Sequence, residues 1–385
     1  MSHRLGHRLL PIGLAALALM LSVPARVHAE ARLLLDATTG KVLFAENATQ
    51  PWYPASLTKL MTTYTTLRAI KEGHLGFNSL ITVTRDAAAQ QPTKMGFKVG
   101  TRLTVDNALK MMLVKSANDI AVTIADGVGG SIPKFADMMN ANARRLGMTE
   151  SHFVNPNGLP AEHHVTSARD LGILALALIH QFPQDDFYWH IHSIRYGDRI
   201  IKNYNRLLAR YPGADGMKTG FICASGFNIV ASATRHGRRL IAIVLGADSG
   251  RSRTLQAAEL LQMGFNDGHL AWLMPSLGSV YKLAPIDAQP PDLRDEVCGG
   301  HRHTIPLEAS TVAKGDNGQT PAFTLASLKA TADKFVLGPP VDDTPPVVVF
   351  TGPPGHPDPV QGQSPHRRHS AAHRRHKKTI DTARK

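Results

Sequence analysis

Residues 216–221, 226–233 and 240–245 are three short runs in which apolar residues recur with strand-like alternation, separated by connections of only a few residues, the last a tight turn at Gly237. Connections this short join antiparallel strands, because a parallel pair needs a crossover of a dozen or more residues. The three runs are therefore expected to be successive strands of one antiparallel sheet. Side chains alternate along a strand, so Lys218 and Gly220 share a face. The missing side chain at Gly220 leaves room beside the Lys218 ammonium for another backbone to approach. Such a strand edge suits an extended peptide.

The rest of the chain supplies partners for that sheet. Residues 31–46 hold two short apolar runs on either side of a turn ending in Gly40, the pattern of a β-hairpin. Beyond the hairpin, Leu57, Leu60, Met61, Tyr64 and Leu67 recur at helical spacing, with Pro54 suited to a helix start. Within the first turn, Ser56 and Lys59 are three apart and share a face, which places an amine beside a hydroxyl able to give it a proton. After residue 70 the pattern is mostly helical, with a short strand expected around 79–83. Residues 107–114 and 120–125 are two apolar helical stretches, and Ser116 and Asn118 lie between them. Residues two apart do not share a helical face, so these two side chains point the same way only if the backbone leaves helical geometry there. Helices are also expected over 132–145 and 168–180, where Met138, Met139, Leu171 and Leu174 are core residues. Asn155-Pro156-Asn157-Gly158 is a turn by composition. Arg251-Ser252-Arg253 and a helix over 254–263 close the sheet region.

The ends differ in character. Arg4, His7 and Arg8 precede an apolar run over 9–23 and then Val27-His28-Ala29, the pattern of a signal peptide whose removal starts the mature chain at Glu30. The apolar run is shorter than the roughly twenty residues that span a bilayer. The net charge of +13 would suit a nucleic-acid partner, but export removes that partner, and much of the excess lies between Ser364 and Lys385. The expected organisation is a signal peptide over 1–29, a main domain over 30–272, a Pro-rich region over 273–350 with room for a small β module, and a disordered basic tail over 351–385. Cys223 and Cys298 form a disulfide in an oxidising compartment or remain two separate buried thiols, and their spacing does not decide between these. With no Cys-x-x-Cys and no His-Glu-x-x-His, neither a metal site nor a cofactor is expected, and His366, His369, His373 and His376 are adventitious ligands at most.

Taken in order, Ser56-Leu57-Thr58-Lys59 at a helix start, Ser116-Ala117-Asn118 at a helix break and Lys218-Thr219-Gly220 on a strand resemble the three motifs of the serine penicillin-recognising enzymes. Within that family the chain is similar to the low-molecular-mass penicillin-binding proteins that act as D-alanyl-D-alanine carboxypeptidases. Asp36-Ala37-Thr38-Thr39-Gly40, Asn205-Arg206-Leu207-Leu208 and Asp215-Gly216 strengthen the likeness, which covers roughly residues 31–268. The resemblance implies an α/β (α+β) fold: an antiparallel five-stranded sheet flanked by helices, with a mainly helical subdomain. It also implies Ser56 as nucleophile, Lys59 as base, Ser116 as proton relay and Asn118 as a positioning group. Lys218, Thr219 and Arg253 would meet the substrate carboxylate, Gly220 would leave room for it, and the amides of Ser56 and Phe221 would form the oxyanion hole. The implied substrate is a periplasmic peptidoglycan stem peptide ending in D-Ala-D-Ala, with β-lactams as acylating inhibitors.

Two departures from the family pattern stand out. Ile222 replaces a common threonine or serine two residues after Gly220. The chain also finishes with a basic segment in place of an amphipathic helix, a segment suited to electrostatic contact with anionic membrane or wall polymer. Three competing readings remain at this stage: a DD-endopeptidase acting on crosslinked peptides, a catalytically silent wall-binding protein, and a β-lactamase. For the last, Glu162 is the only acid near the place where a deacylating glutamate is needed.

Overall fold

A computed structural model describes residues 30–266, 277–299, 337–341 and 343–361. The expected signal peptide, the apolar run at 323–328 and the basic run with its four histidines lie outside the described residues. The first two strands, β1 (Ala31–Asp36) and β2 (Val42–Glu46), make the expected hairpin. A single 3₁₀ turn (Ala55–Leu57) leads into α1 (Thr58–Lys71). A helical region follows, comprising α2 (Arg85–Ala89), α3 (Val105–Lys115), α4 (Asn118–Gly129), α5 (Ile132–Leu146) and α6 (Ala168–Gln181). It is interrupted by the two-stranded pair β3 (Leu80–Thr82) and β4 (Arg102–Thr104). The chain then forms β5 (Ser193–Tyr196), β6 (Arg199–Lys202), β7 (Ala214–Ile222), β8 (Gly226–Arg235), β9 (Arg238–Ala247) and α7 (Gly250–Asn266).

The main sheet has five strands in the order β2-β1-β9-β8-β7, every pairing antiparallel, with β7 at one edge. Its central strands are apolar on both faces because both faces are covered. Leu33, Leu35, Ile241, Ile243 and Leu245 join Leu171 and Leu174 of α6 and the helical region in one core. Leu34, Leu240, Ala242 and Val244 point the other way, onto Ala257, Ala258 and Leu261 of α7. This period-two division places helices on both sides of the sheet.

Helix α1 is buried on nearly all sides rather than along a single stripe. Its threonines make this tolerable by finding acceptors or donors: Thr62 donates to the carbonyl of Pro156 at 2.6 Å, Thr63 to that of Lys59 at 2.8 Å, and Thr65 accepts from Asn142 at 3.0 Å.

Past α7 the structure departs from the compositional expectation. Residues 277–299 lie along the body, with Val280 N–H donating to Gly40 and Leu293 N–H to Ala224. A disulfide joins Cys223 to Cys298. Residues 347–348 form β10 (Val347–Val348), a parallel partner of β5 in the three-stranded sheet β10-β5-β6, and no separate β module is seen among the described residues. The tail was expected to be without structure from Thr351, yet residues 351–361 pack on the helical region. Gly352 N–H donates to Arg102 and Gln361 Nε2 to Thr101 Oγ1 at 2.7 Å. Backbone groups that pair with a strand edge and with β4 anchor this stretch despite its prolines.

Candidate active site

The site is assembled where α1 begins. Ser56 lies in the 3₁₀ turn, one residue after Ala55 with φ +47°, and Lys59 is the second residue of the 14-residue helix α1. The Lys59 side chain is completely buried, and its Nζ donates to Ser56 Oγ at 3.0 Å, to Asn118 Oδ1 at 2.7 Å and to the carbonyl of Asn157 at 2.7 Å. Burial holds the Lys59 ammonium well below the usual lysine range. The nearby Lys218 cation adds to this, and Asp119 opposes it more weakly. A neutral amine beside a hydroxyl is the arrangement a general base requires.

The break between α3 and α4 occurs as the spacing of Ser116 and Asn118 demands. Ser116 takes left-handed dihedrals, φ 57° and ψ 34°, Ala117 is extended, and α4 restarts at Asn118. A non-glycine residue in that region costs of order 1–3 kcal/mol and persists only where its surroundings hold it. The holding is done by residues that sequence patterning did not single out. Thr93 accepts the Asn118 N–H at 2.8 Å on its carbonyl, and its hydroxyl donates to Lys115 at 3.1 Å and to Ser116 at 2.9 Å. Asp119 accepts from the N–H groups of Met95 at 3.0 Å and Gly96 at 2.8 Å, tying the same loop down. Asn118 Nδ2 donates to the carbonyl of Gln91 at 2.9 Å, which turns its Oδ1 toward Lys59.

The Asn155-Pro156-Asn157-Gly158 turn is a further wall. Asn155 Oδ1 accepts from Asn157 N–H at 3.3 Å and Gly158 N–H at 2.7 Å, so the side chain shapes its own turn. Gly158 has φ +84°, and a Cβ there would fall 1.8 Å from the Ala55 carbonyl oxygen, so only glycine lets this turn press against the one carrying Ser56. Behind it, His164 Nδ1 accepts from Val154 N–H at 2.9 Å, which leaves its Nε2 proton to Thr58 Oγ1 at 2.8 Å. Burial, with His152 nearby, pushes the His164 pKa down to about 3.

From the opposite side, β7 brings Lys218 and Thr219, both buried, while Phe221 is 42% exposed and stacks on Phe227. The Lys218 ammonium donates to the carbonyl of Thr219 at 2.8 Å. Among the described residues no hydrogen bond joins it to the hydroxyls of Ser56 or Ser116, nor does one join the Ser116 hydroxyl to Lys59. The bonded cluster is thus Ser56, Lys59 and Asn118, and Lys218 acts on it through charge. Burial, with Arg253 beside it, lowers the Lys218 pKa to about 7, and burial, with Arg206 beside it, lowers that of Arg253 to about 10. Among the described residues the Arg253 guanidinium donates a long bond, 3.4 Å, to the carbonyl of Asn228, and its Nε is buried without a partner. A buried, unsatisfied guanidinium N–H near a buried ammonium is a site prepared for an anion with the reach of a carboxylate. Arg206, quoted in the sequence only as part of a flanking phrase, adds to this field. Among the described residues no group of three or more His, Cys, Asp or Glu side chains is placed to hold a metal ion.

A family model described as D-alanyl-D-alanine carboxypeptidase, Peptidase S11, matches residues 19–249. The D-alanyl-D-alanine carboxypeptidase DacD of Salmonella typhimurium is 40% identical over 248 residues, which cover 63% of this chain and 64% of that protein. The chain therefore spans a little under two thirds of the length of this curated relative. Penicillin binding protein 6B from Escherichia coli superposes with a TM-score of 0.59 at 38% identity, covering 63% of this chain and 79% of the other. Penicillin-Binding Protein D2 from Listeria monocytogenes, in an ampicillin-bound form, does so with a TM-score of 0.56 at 29% identity, covering 61% and 97%.

Proposed function

The chain belongs to the Peptidase S11 family of D-alanyl-D-alanine carboxypeptidases, and from that premise we propose that it removes the terminal D-alanine from peptidoglycan stem peptides through an acyl-enzyme on Ser56. The observation that carries this reading is the fully buried Lys59 amine 3.0 Å from Ser56 Oγ. Lys59 takes the Ser56 proton as Oγ attacks the carbonyl between the two terminal D-alanines. The tetrahedral oxyanion is met by the amides of Ser56 and Phe221 at the positive end of α1. The carbon–nitrogen bond then breaks, and the proton returns to the leaving amine by way of the Ser116 hydroxyl. Asn118 keeps Lys59 in register. Water hydrolyses the acyl-enzyme, so one difficult step becomes two easier ones. Lys218, Thr219 and Arg253 hold the terminal carboxylate, while Gly220, expected to leave room for the peptide, instead lets β7 approach the backbone of the nucleophile turn. β-Lactams acylate the same serine.

Glu162, the acid that a β-lactamase reading needs, has a solvent-exposed carboxylate paired with His163 at 3.2 Å and makes no bond to Ser56 or Lys59. Residues 30–272 form the catalytic unit in this proposal. Export to the periplasm is supported by the leader pattern and by the disulfide, a bond that persists in oxidising compartments. The basic run between Ser364 and Lys385 is proposed to hold anionic membrane or wall polymer by charge. In that case raising salt releases the full-length protein, and failure to do so rejects the contact. Covalent labelling by a fluorescent penicillin, followed by denaturing electrophoresis, tests the central reading. The label is expected on the intact protein and absent from Ser56→Ala, and labelling that survives the substitution rejects it.

A further inference from the structure

We propose that residues 286–299 form a wall of the substrate cleft, held in place by the Cys223–Cys298 disulfide, and that this wall selects substrates by the peptide arm preceding the cleaved bond. The inference rests on the carboxypeptidase reading and adds to it what determines the length and charge of the substrate.

A cavity of about 560 Å³ opens beside the nucleophile turn. Its floor is the chain just before Ser56, including Pro54 and Ala55. One side is the loop over residues 158–165, a second is the end of β7 at Ile222, and the third is Gln289, Pro290 and Arg294. The cavity thus continues the site along β7, away from Lys218. A peptide whose terminal carboxylate lies at Lys218 and Arg253, with its scissile carbonyl at Ser56, must run antiparallel to β7, and its preceding residues pass Phe221 and Ile222. At a rise of about 3.3 Å per residue, the span from Thr219 to Ile222 is about 10 Å, or roughly three residues of extended peptide, so the two D-alanines and the residue before them bring the arm to the cavity.

The third side is fixed by Leu293 and Val297, buried in the main core, and by a set of tethers. Leu293 N–H donates to the carbonyl of Ala224 at 3.0 Å, Gln50 Nε2 donates to the carbonyl of Gln289 at 2.9 Å, and the disulfide fastens Cys298 to Cys223, the residue just past the end of β7. Between Leu283 and Leu293 the segment has no helix or strand of its own, so its position depends on these contacts. The cavity's charges are disposed on opposite rims. Arg294, paired with Asp292, lies on the disulfide-held side, and Glu162, paired with His163, lies on the loop side. Between them Pro54, Ala55, Ile222 and Pro290 are apolar. The arm that complements this surface is extended, contacts the apolar floor, presents a carboxylate to Arg294 and presents an amine to Glu162.

The test compares kcat/KM on two probes with the full-length oxidised protein: the pentapeptide L-Ala-γ-D-Glu-L-Lys-D-Ala-D-Ala, and acetyl-D-Ala-D-Ala, which has no arm. The expected result is that mild phosphine reduction, or the double change Cys223→Ser with Cys298→Ser, lowers the pentapeptide-to-dipeptide ratio about tenfold, mainly through KM. Arg294→Glu, which leaves the disulfide intact, is expected to lower the same ratio by a similar factor. A ratio unmoved by all of these changes overturns the proposal. So does a loss of both substrates and of penicillin labelling in step, because the disulfide then serves only to support the catalytic domain. A wild-type protein inert to both probes and to penicillin overturns the carboxypeptidase reading itself.

Discussion

A first side-chain carbon on Gly220 would stand 3.1 Å from the amide nitrogen of Ser56, with the carbonyl oxygen of Pro54 and the amide of Leu57 about as near. Strand β7 and the nucleophile turn therefore touch backbone to backbone, and this contact sets how far the Phe221 amide stands from the Ser56 amide. Because the three atoms are backbone, none can rotate away. Gly220→Ala is predicted to force the strand and the turn apart by a few tenths of an ångström and to slow penicillin acylation by roughly tenfold or more. Thermal stability should change less than the acylation rate, since only the edge strand β7 has to give way. Stopped-flow acylation alongside a melting curve checks this. An unchanged rate would mean that the oxyanion geometry does not depend on the contact.

The second prediction concerns the charge state of Lys59. The amine is useful only when neutral, and burial with the Lys218 charge favours that form. A guanidinium stays protonated in proteins. Lys59→Arg should therefore lose acylation by about 10²–10⁴-fold, as should Lys59→Met, which fills the same buried space without a proton acceptor. Acylation measured by mass spectrometry over hours resolves losses of that size. Appreciable labelling of the arginine variant would show that the base is another group.

Much of this arrangement was readable from residue order, and the reasons mark the boundary. The sheet was legible because residues 226–233 and 240–245 alternate and their turns are short. The helix break was legible because Ser116 and Asn118 cannot share a helical face. Strands β5 and β6 are only four residues each around a Gly197-Asp198 turn, so the alternation of Ile194 and Tyr196 is too short to stand out, and β10 pairs with β5 from some 150 residues away. The Asn157 carbonyl that accepts from Lys59 and the Thr93 carbonyl that accepts from Asn118 were invisible for a different reason, since any residue supplies a carbonyl. The pairing of Cys223 with Cys298 spans 75 residues, and nothing in that interval says the two sulfurs meet.

The third prediction is a pH profile. Lys59 works deprotonated, so acylation of the free enzyme should fall as pH drops through its lowered pKa. Lys218 works protonated, with a pKa of about 7, so carboxylate capture should fall as pH rises above that value. The second-order rate constant for penicillin acylation is expected to be bell-shaped, and it reports the free enzyme. In Lys218→Arg the cation persists, and the alkaline limb should move to higher pH by at least about one unit. An alkaline limb that stays in place would assign it to some group other than Lys218.

The last prediction uses His164 as a reporter of how the wall behind the nucleophile turn is held. Its two nitrogens are both committed, Nδ1 accepting from Val154 N–H and Nε2 donating to Thr58 Oγ1, and neither bond leaves room for a second proton. Folding lowers its pKa from 6.5 to about 3, chiefly through burial. Between those values the unfolded chain binds a proton that the folded chain does not, so stability falls as pH decreases through 6.5 and keeps falling toward 3. Each unit in that window costs roughly 1.4 kcal/mol, or a few degrees of melting temperature in a domain this size. Other buried acids titrate in the same range, so the informative quantity is the difference between wild type and His164→Gln, which cannot take up a proton. The wild type should melt higher than the variant at pH 7.5, and the gap should narrow steadily to pH 4.5. A gap independent of pH would mean that folded His164 takes up a proton as readily as the unfolded chain does, and the hydrogen-bond assignment that makes it a neutral strut beneath Thr58 would have to be abandoned.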